Sequence, residues 1–277
     1  MRFGVVVVCG MFALPCVVKA QNGFLDRWET RVRATSARQP VFPIPAIAPS
    51  SQLVQLVRFD VVRQKTPTHF TTINVDNGKG LNLIPYANTE IDINLPALIE
   101  HRNAKVLDGS GDFSVAYKYR PFASPREAHN YSLGGQMLFT VPTGSYKNGT
   151  LVSTLQPTVF GGKGWKRFDV QSSIGGVLPN SSVSQAGRTI VWNTTAQVRV
   201  GKIFYPEVES NASFYHLGPN NGKSQNFLSP GLTLSKIKFR QDPRNRLALI
   251  VGGSFQVATS TYHGYNHGLV FTSRLAF

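Results

Sequence analysis

From His69 to Phe277 the chain runs as a series of segments, each about ten residues long, in which apolar and polar residues alternate with a period of two. Gly, Pro, Asn and Asp separate them. Strands have this period, because successive side chains point to opposite faces. In Arg188 to Val200 one parity holds Ile190, Trp192, Ala196, Val198 and Val200, and the other holds Asn193, Thr195, Gln197 and Arg199. In Asp112 to Arg120, Phe113, Val115, Tyr117 and Tyr119 oppose Asp112, Ser114, Lys118 and Arg120. Further segments add Glu90, Asp92, Gln136, Gln156, Asp169, Gln171, Glu207, Glu209, Asn211 and Gln256 to the polar side. A buried parallel sheet would be apolar on both faces, so the pattern predicts antiparallel strands with one dry face and one wet face.

Strands are expected near His69–Asp76, Lys79–Ile84, Glu90–Leu98, Asp112–Arg120, Asn130–Val141 and Thr154–Phe160. Six more fall near Arg167–Leu178, Arg188–Val200, Phe204–Tyr215, Phe227–Phe239, Arg246–Ala258 and His267–Phe277. In Phe227–Phe239 the parity breaks, and a bulge near Ser235 is needed to keep Lys236 off the apolar track. If the chain is a membrane barrel whose C-terminus is periplasmic, Val75–Gly80 reads as a short outer turn, and Pro85–Asn88, Gly161–Trp165, Gly201–Ile203 and Gln241–Asn245 as short periplasmic ones. Ile99–Gly111, Pro142–Ser153, Pro179–Gly187 and His216–Asn226 read as longer outer loops. Short turns on one side and long loops on the other are the habit of membrane barrels. Alternation alone does not separate such a barrel from a soluble sandwich, which hides its apolar faces between two sheets. Strand length, an export signal and aromatics near strand ends favour the barrel, and Tyr119, Tyr131, Phe168, Trp192, Phe204 and Phe214 are candidates for its two girdles. The expected fold is all-β, an antiparallel transmembrane barrel of about twelve strands over residues 68–277 with an extended segment before it.

The start of the chain carries the export signal. Met1-Arg2 is basic, Gly4 to Val18 is apolar, and Val18-Lys19-Ala20 predicts cleavage after Ala20. Both cysteines, Cys9 and Cys16, lie in this segment, so the mature chain has neither disulfides nor thiolates, and Pro15 argues against lipidation at Cys16. Residues 21–67 form a proline-rich extension or plug, with Pro40, Pro43, Pro45 and Pro49 in one tract. Leu53 to Val62 reads as either a strand or a helix. Lysine and arginine number 29 against 14 acids. The excess is scattered rather than gathered into an arm, so lipopolysaccharide phosphates or an anionic solute are expected partners and nucleic acid is not.

The last strand, Gly268 to Phe277, puts Leu269, Phe271, Leu275 and Phe277 on one face. It resembles the closing strand of bacterial outer-membrane barrels, which implies that Phe277, Leu275 and Phe271 form the signal read by the barrel-assembly machinery. Leu83 to Leu98, Gly109-Ser110-Gly111-Asp112 leading into Tyr117-Lys118-Tyr119-Arg120, and Phe139-Thr140-Val141-Pro142-Thr143-Gly144 add a second likeness. In order and spacing they resemble the outer-membrane proteins grouped as the MetA-pathway of phenol degradation family. That resemblance covers roughly His69 to Phe277. It implies an outer-membrane channel for aromatic or other small apolar compounds, and it supplies no catalytic residues.

An enzyme is the rival class. His129 and Ser132 are close in sequence but have opposite parity, which separates a nucleophile from its base. His263 and His267 lie among glycines with no carboxylate between them, so they read as loop residues and not as metal ligands. Glu90 with Asp92 and Glu207 with Glu209 read as luminal acids facing luminal bases. The expected pore lining is therefore Glu90, Asp92, Asp112, Lys118, Arg120, Gln136, Asp169, Gln197, Arg199, Glu207, Glu209 and Arg274, with no catalytic residue, metal or cofactor. Passive passage of a small solute is the expected function. A lipid hydrolase or acyltransferase and a non-transporting structural barrel are the alternatives.

Overall fold

The computed structural model describes residues 22–239 and 246–277. The expected signal segment with Cys9 and Cys16, and the expected turn at Gln241–Asn245, lie outside them. A helix, α1 (Asn22–Ala37), comes first, followed by an irregular stretch. The wall then begins with β1 (Leu56–Lys65), β2 (Thr71–Asp76), β3 (Gly80–Leu83), β4 (Thr89–Asn94), β5 (Leu98–His101), β6 (Gly109–Ser110) and β7 (Phe113–Ser124). It continues through β8 (Tyr131–Val141), β9 (Thr154–Trp165) and β10 (Phe168–Pro179). A single helical turn, α2 (Val183–Ala186), precedes β11 (Arg188–Val198), β12 (Phe204–His216), β13 (Ser224–Lys238), β14 (Ala248–Ala258) and β15 (His267–Ala276).

All fifteen segments belong to one antiparallel sheet, and β15 pairs with both β14 and β1, so the sheet closes on itself. Closure leaves no edge with unpaired backbone groups. Three strands are each built of two segments. β2 and β3 pair with the same neighbour, β1, in one continuous direction. β4 lies on β3 while β5 lies on β2, and β6 continues into β7. The wall is therefore a closed barrel of twelve strands.

The expected count is met by two compensating differences. Val75–Gly80 is a bulge within one strand and not a reversal, and the undecided stretch at Leu53–Val62 runs into β1, which continues to Lys65. The wall thus starts at Leu56 and not at 68. Asp76, Asn77 and Gly78 all have left-handed backbones, with φ of 74, 50 and 61°. Asn-Gly is a strong turn signal, yet the chain on either side finds the same partner strand, so tertiary pairing overrides it. In the neighbouring strand, the break between β4 and β5 meets this bulge through a hydrogen bond from Leu95 N–H to the Lys79 carbonyl, 3.1 Å. Gly80 is needed here because a Cβ would stand 2.2 Å from the Ile93 carbonyl oxygen. The bulge expected near Ser235 is present, with the register shifting between Leu234 and Ile237 and Lys236 left-handed.

The two faces of the wall are inverted relative to a soluble protein. Val159, Ile174, Trp192, Val208, Leu228, Phe255, Leu269 and Phe271 stand outward and exposed. Inside, Glu90, Thr195, Gln197, Glu209, Ser229, Thr233, Thr272 and Arg274 are buried. Five of the six girdle candidates, Tyr119, Phe168, Trp192, Phe204 and Phe214, are exposed on the outer face. A sandwich would place these sets the other way round, and water would not tolerate so large an apolar exterior.

Candidate functional site

Between α1 and β1 the chain enters the barrel and returns, so that residues 39–54 occupy the lumen. The base of this loop is closed by Gln39, whose side chain donates to the Leu53 carbonyl at 2.9 Å and accepts from Leu53 N–H at 3.1 Å. Four prolines lack the N–H that a dry lumen would leave unmet, and they stiffen the loop. Its remaining backbone groups still need partners, since a buried unpaired amide costs about as much as a lost hydrogen bond. Wall side chains provide them.

At the tip of the loop, the N–H groups of Ile47 and Ala48 both donate to the Glu209 carboxylate, at 2.9 and 2.7 Å. Arg274 donates to the carbonyls of Ile44 (2.7 Å) and Pro45, and Arg58 to that of Ala46 (2.6 Å). Gln171 accepts from Ser51 N–H at 3.0 Å and donates to the Pro43 carbonyl at 2.9 Å. Ser132 Oγ donates to Ser51 Oγ, Val54 N–H to Glu90, and Arg120 to the Gln39 side-chain oxygen. Gly162 on β9 leaves room for the loop, since a Cβ there would come within 2.5 Å of Ser51 Oγ and 2.8 Å of the Phe42 ring. At the short-turn end α1 lies across the loop base, packing Val32 with Leu53 and Ile84, with Trp28 against them.

Glu90, Glu209, Arg120 and Arg274, expected to line a pore, are therefore engaged with the internal loop. Lys118 binds Glu90 at 2.7 Å and Asp92 at 3.3 Å. Gln197 donates to Glu207, and Gln136 lines a space beside the loop. Asp169 and Arg199 meet Tyr205, Arg126 and Lys166 at the short-turn mouth. Asp112 departs from the expected lining. Its carboxylate is at the opposite rim, where it accepts from Gly144 N–H (2.8 Å) and Thr150 N–H and so ties down the loop after β8. A residue just before a strand has free turn amides nearby, and these draw the carboxylate away from the lumen. Phe271 and Leu275 face outward on β15, and the Phe277 amide bonds to the Gln55 carbonyl.

Sequence reasoning missed Arg58, Asp60, Lys79 and Ser51. Arg58 and Asp60 pair at 2.7 Å inside the barrel, on a strand whose inward parity also holds Leu56 and Val62, which blurred its alternation. Lys79, expected where an outer turn meets the strand Lys79–Ile84, instead enters the lumen. Of the histidine candidates, His129 is exposed on a turn while Ser132 faces the lumen. His263 is held by Ser260 and Asn266 within its loop.

Beside the internal loop there is a cavity of about 160 Å³. Arg58, Lys79, Asp92, Lys118, Gln136 and Arg274 contribute polar groups to its lining, and Ile44, Ile47, Leu56 and Leu138 contribute apolar ones.

No family model and no curated protein matches the chain, so the resemblance to the MetA-pathway of phenol degradation family rests on the quoted motifs alone. Solved structures do match it. An outer-membrane channel from Pseudomonas putida F1 is similar at TM-score 0.55 and 11% identity, covering 86% of this chain and 100% of that one. The porin NanC is similar at TM-score 0.50 and 10% identity, covering 79% and 98%. Identity this low carries the fold: a closed, twelve-stranded antiparallel barrel.

Proposed function

We propose that the chain is a bacterial outer-membrane channel that passes a small solute along the side of its internal loop. The observation that carries this reading is the inversion of the wall, with an apolar exterior, a charged interior and a loop that leaves a cavity beside it. Such an exterior belongs in lipid, and a sheet closed on itself, with no open edge, is the form of sheet that lipid accepts. The similar structures being a porin and an outer-membrane channel supports the same assignment. In this orientation the short turns, α1 and the C-terminal strand end face the periplasm, the segment ending at Ala20 is the export signal, and lipopolysaccharide meets the outer rim. Recognition of Phe277, Leu275 and Phe271 by the assembly machinery belongs to the same proposal. Apolar groups along the cavity support a solute with an aromatic or aliphatic body.

Two measurements test this. Fractionation should place the protein in the outer membrane as a species whose gel migration shifts on heating. In planar bilayers the full chain should give small discrete currents, and a chain lacking residues 39–53 larger ones. Silence from both chains would overturn the channel.

A further inference from the structure

We infer that the cavity beside the internal loop is a binding site for a small organic anion, a carboxylate attached to an apolar body of about the size of a benzene ring. The inference deepens the channel reading and rests on it for the identity of the ligand as a solute.

Four cationic side chains line the cavity, Arg58, Lys79, Lys118 and Arg274, against one carboxylate, Asp92. Three of the nearby acids are already engaged. Asp92 holds Lys118 and accepts from Asn82, and Asp60 holds Arg58 and accepts from Thr272. Glu209 is taken up by the tip of the loop. Two cations are left incompletely met. Among the described residues the Lys79 ammonium makes no hydrogen bond and no ion pair, and the charges around it are Arg58, Asp60, Asp76, Arg274 and Asp92. Arg274 is 1% exposed, and its Nε–H has no partner although its two outer nitrogens are bonded to the loop. A lumen cation whose N–H groups lack direct partners is incompletely compensated, so a carboxylate placed between Lys79 and Arg274 supplies the direct contact that the surrounding acids do not make.

The rest of the cavity is suited to a hydrocarbon. Ile47, Leu56 and Leu138 face it, and its volume of about 160 Å³ compares with the roughly 150 Å³ apolar cavity known to admit benzene. Lys79 reaches the cavity because of the bulge at residues 76–79, which turns an expected outer turn into part of the lumen.

The test uses the full chain in detergent, where conduction plays no part, with benzoate as probe and benzyl alcohol as its uncharged counterpart. Calorimetry should show benzoate binding at least about tenfold more tightly than benzyl alcohol, a factor set by the charge interaction alone. Lys79→Met should remove that preference and Lys79→Arg should retain it. Leu138→Trp, which fills the cavity without touching a charge, should abolish binding of both probes. Equal affinity for the two probes, or benzoate binding unchanged in both Lys79→Met and Leu138→Trp, would overturn the site. Conductance without benzoate binding would remove this inference and leave the channel standing, whereas benzoate binding with silent bilayers would keep the site and remove the channel.

Discussion

At the scale of single residues, the lumen is governed by the need to satisfy an irregular backbone. Glu209 holds two amides of the loop tip, and hydrogen bonds to a charged group contribute about 1.5–3 kcal/mol each. Glu209→Ala should therefore release residues 46–49, seen as faster amide exchange at Ile47 and Ala48 and as noisier currents in bilayers. An unchanged exchange rate would show that the tip is held by packing. Arg274→Met should act on the other arm of the tip, freeing the Ile44 and Pro45 carbonyls, at about 1–3 kcal/mol for each buried acceptor left unmet. These roles were hidden from the sequence for a simple reason. Parity says that Glu209 and Arg274 face inward, but not whether they meet water, one another or a stretch of chain 160 to 230 residues away.

At the scale of elements, the loop and the wall are separable. The ladder between β1 and β15 closes the barrel without using any residue of the loop. Deleting residues 39–53 should leave a heat-modifiable barrel whose conductance is raised. Gly162→Val offers a gentler form of the same experiment. Its side chain would intrude on Ser51 and Phe42 while the pairing of β9 with β8 and β10 is retained. The loop should then be displaced, with larger currents and no loss of the folded gel band; a lost band would instead show that the loop is needed for closure. Twelve strands were legible from alternation, but the elements at the start of the wall were not assigned correctly. The Asn77-Gly78 signal was read as a reversal because local turn chemistry is the same in a hairpin and in a bulge. Only the shared partner strand distinguishes them.

For the whole molecule, the defining property is the exchange of inside and outside. Ile174→Arg places a charge on the outer face of β10, and near the bilayer midplane this should cost about 2–4 kcal/mol, measured as a lower denaturant midpoint in lipid vesicles. A change well below 1 kcal/mol would argue that this face is not in lipid. The sequence by itself determined the class of the fold, the faces of each strand and the parity of the charged residues, because those follow from a period of two that each segment carries locally. Closure could be anticipated from the turn lengths. What only the tertiary structure decided is which interior groups meet. The loop entering the lumen, the bulge that brings Lys79 inside and the cavity between them depend on contacts between residues far apart in the chain. No local pattern encodes them, since the same alternating wall would accept water, a helix or this proline-rich loop as its filling.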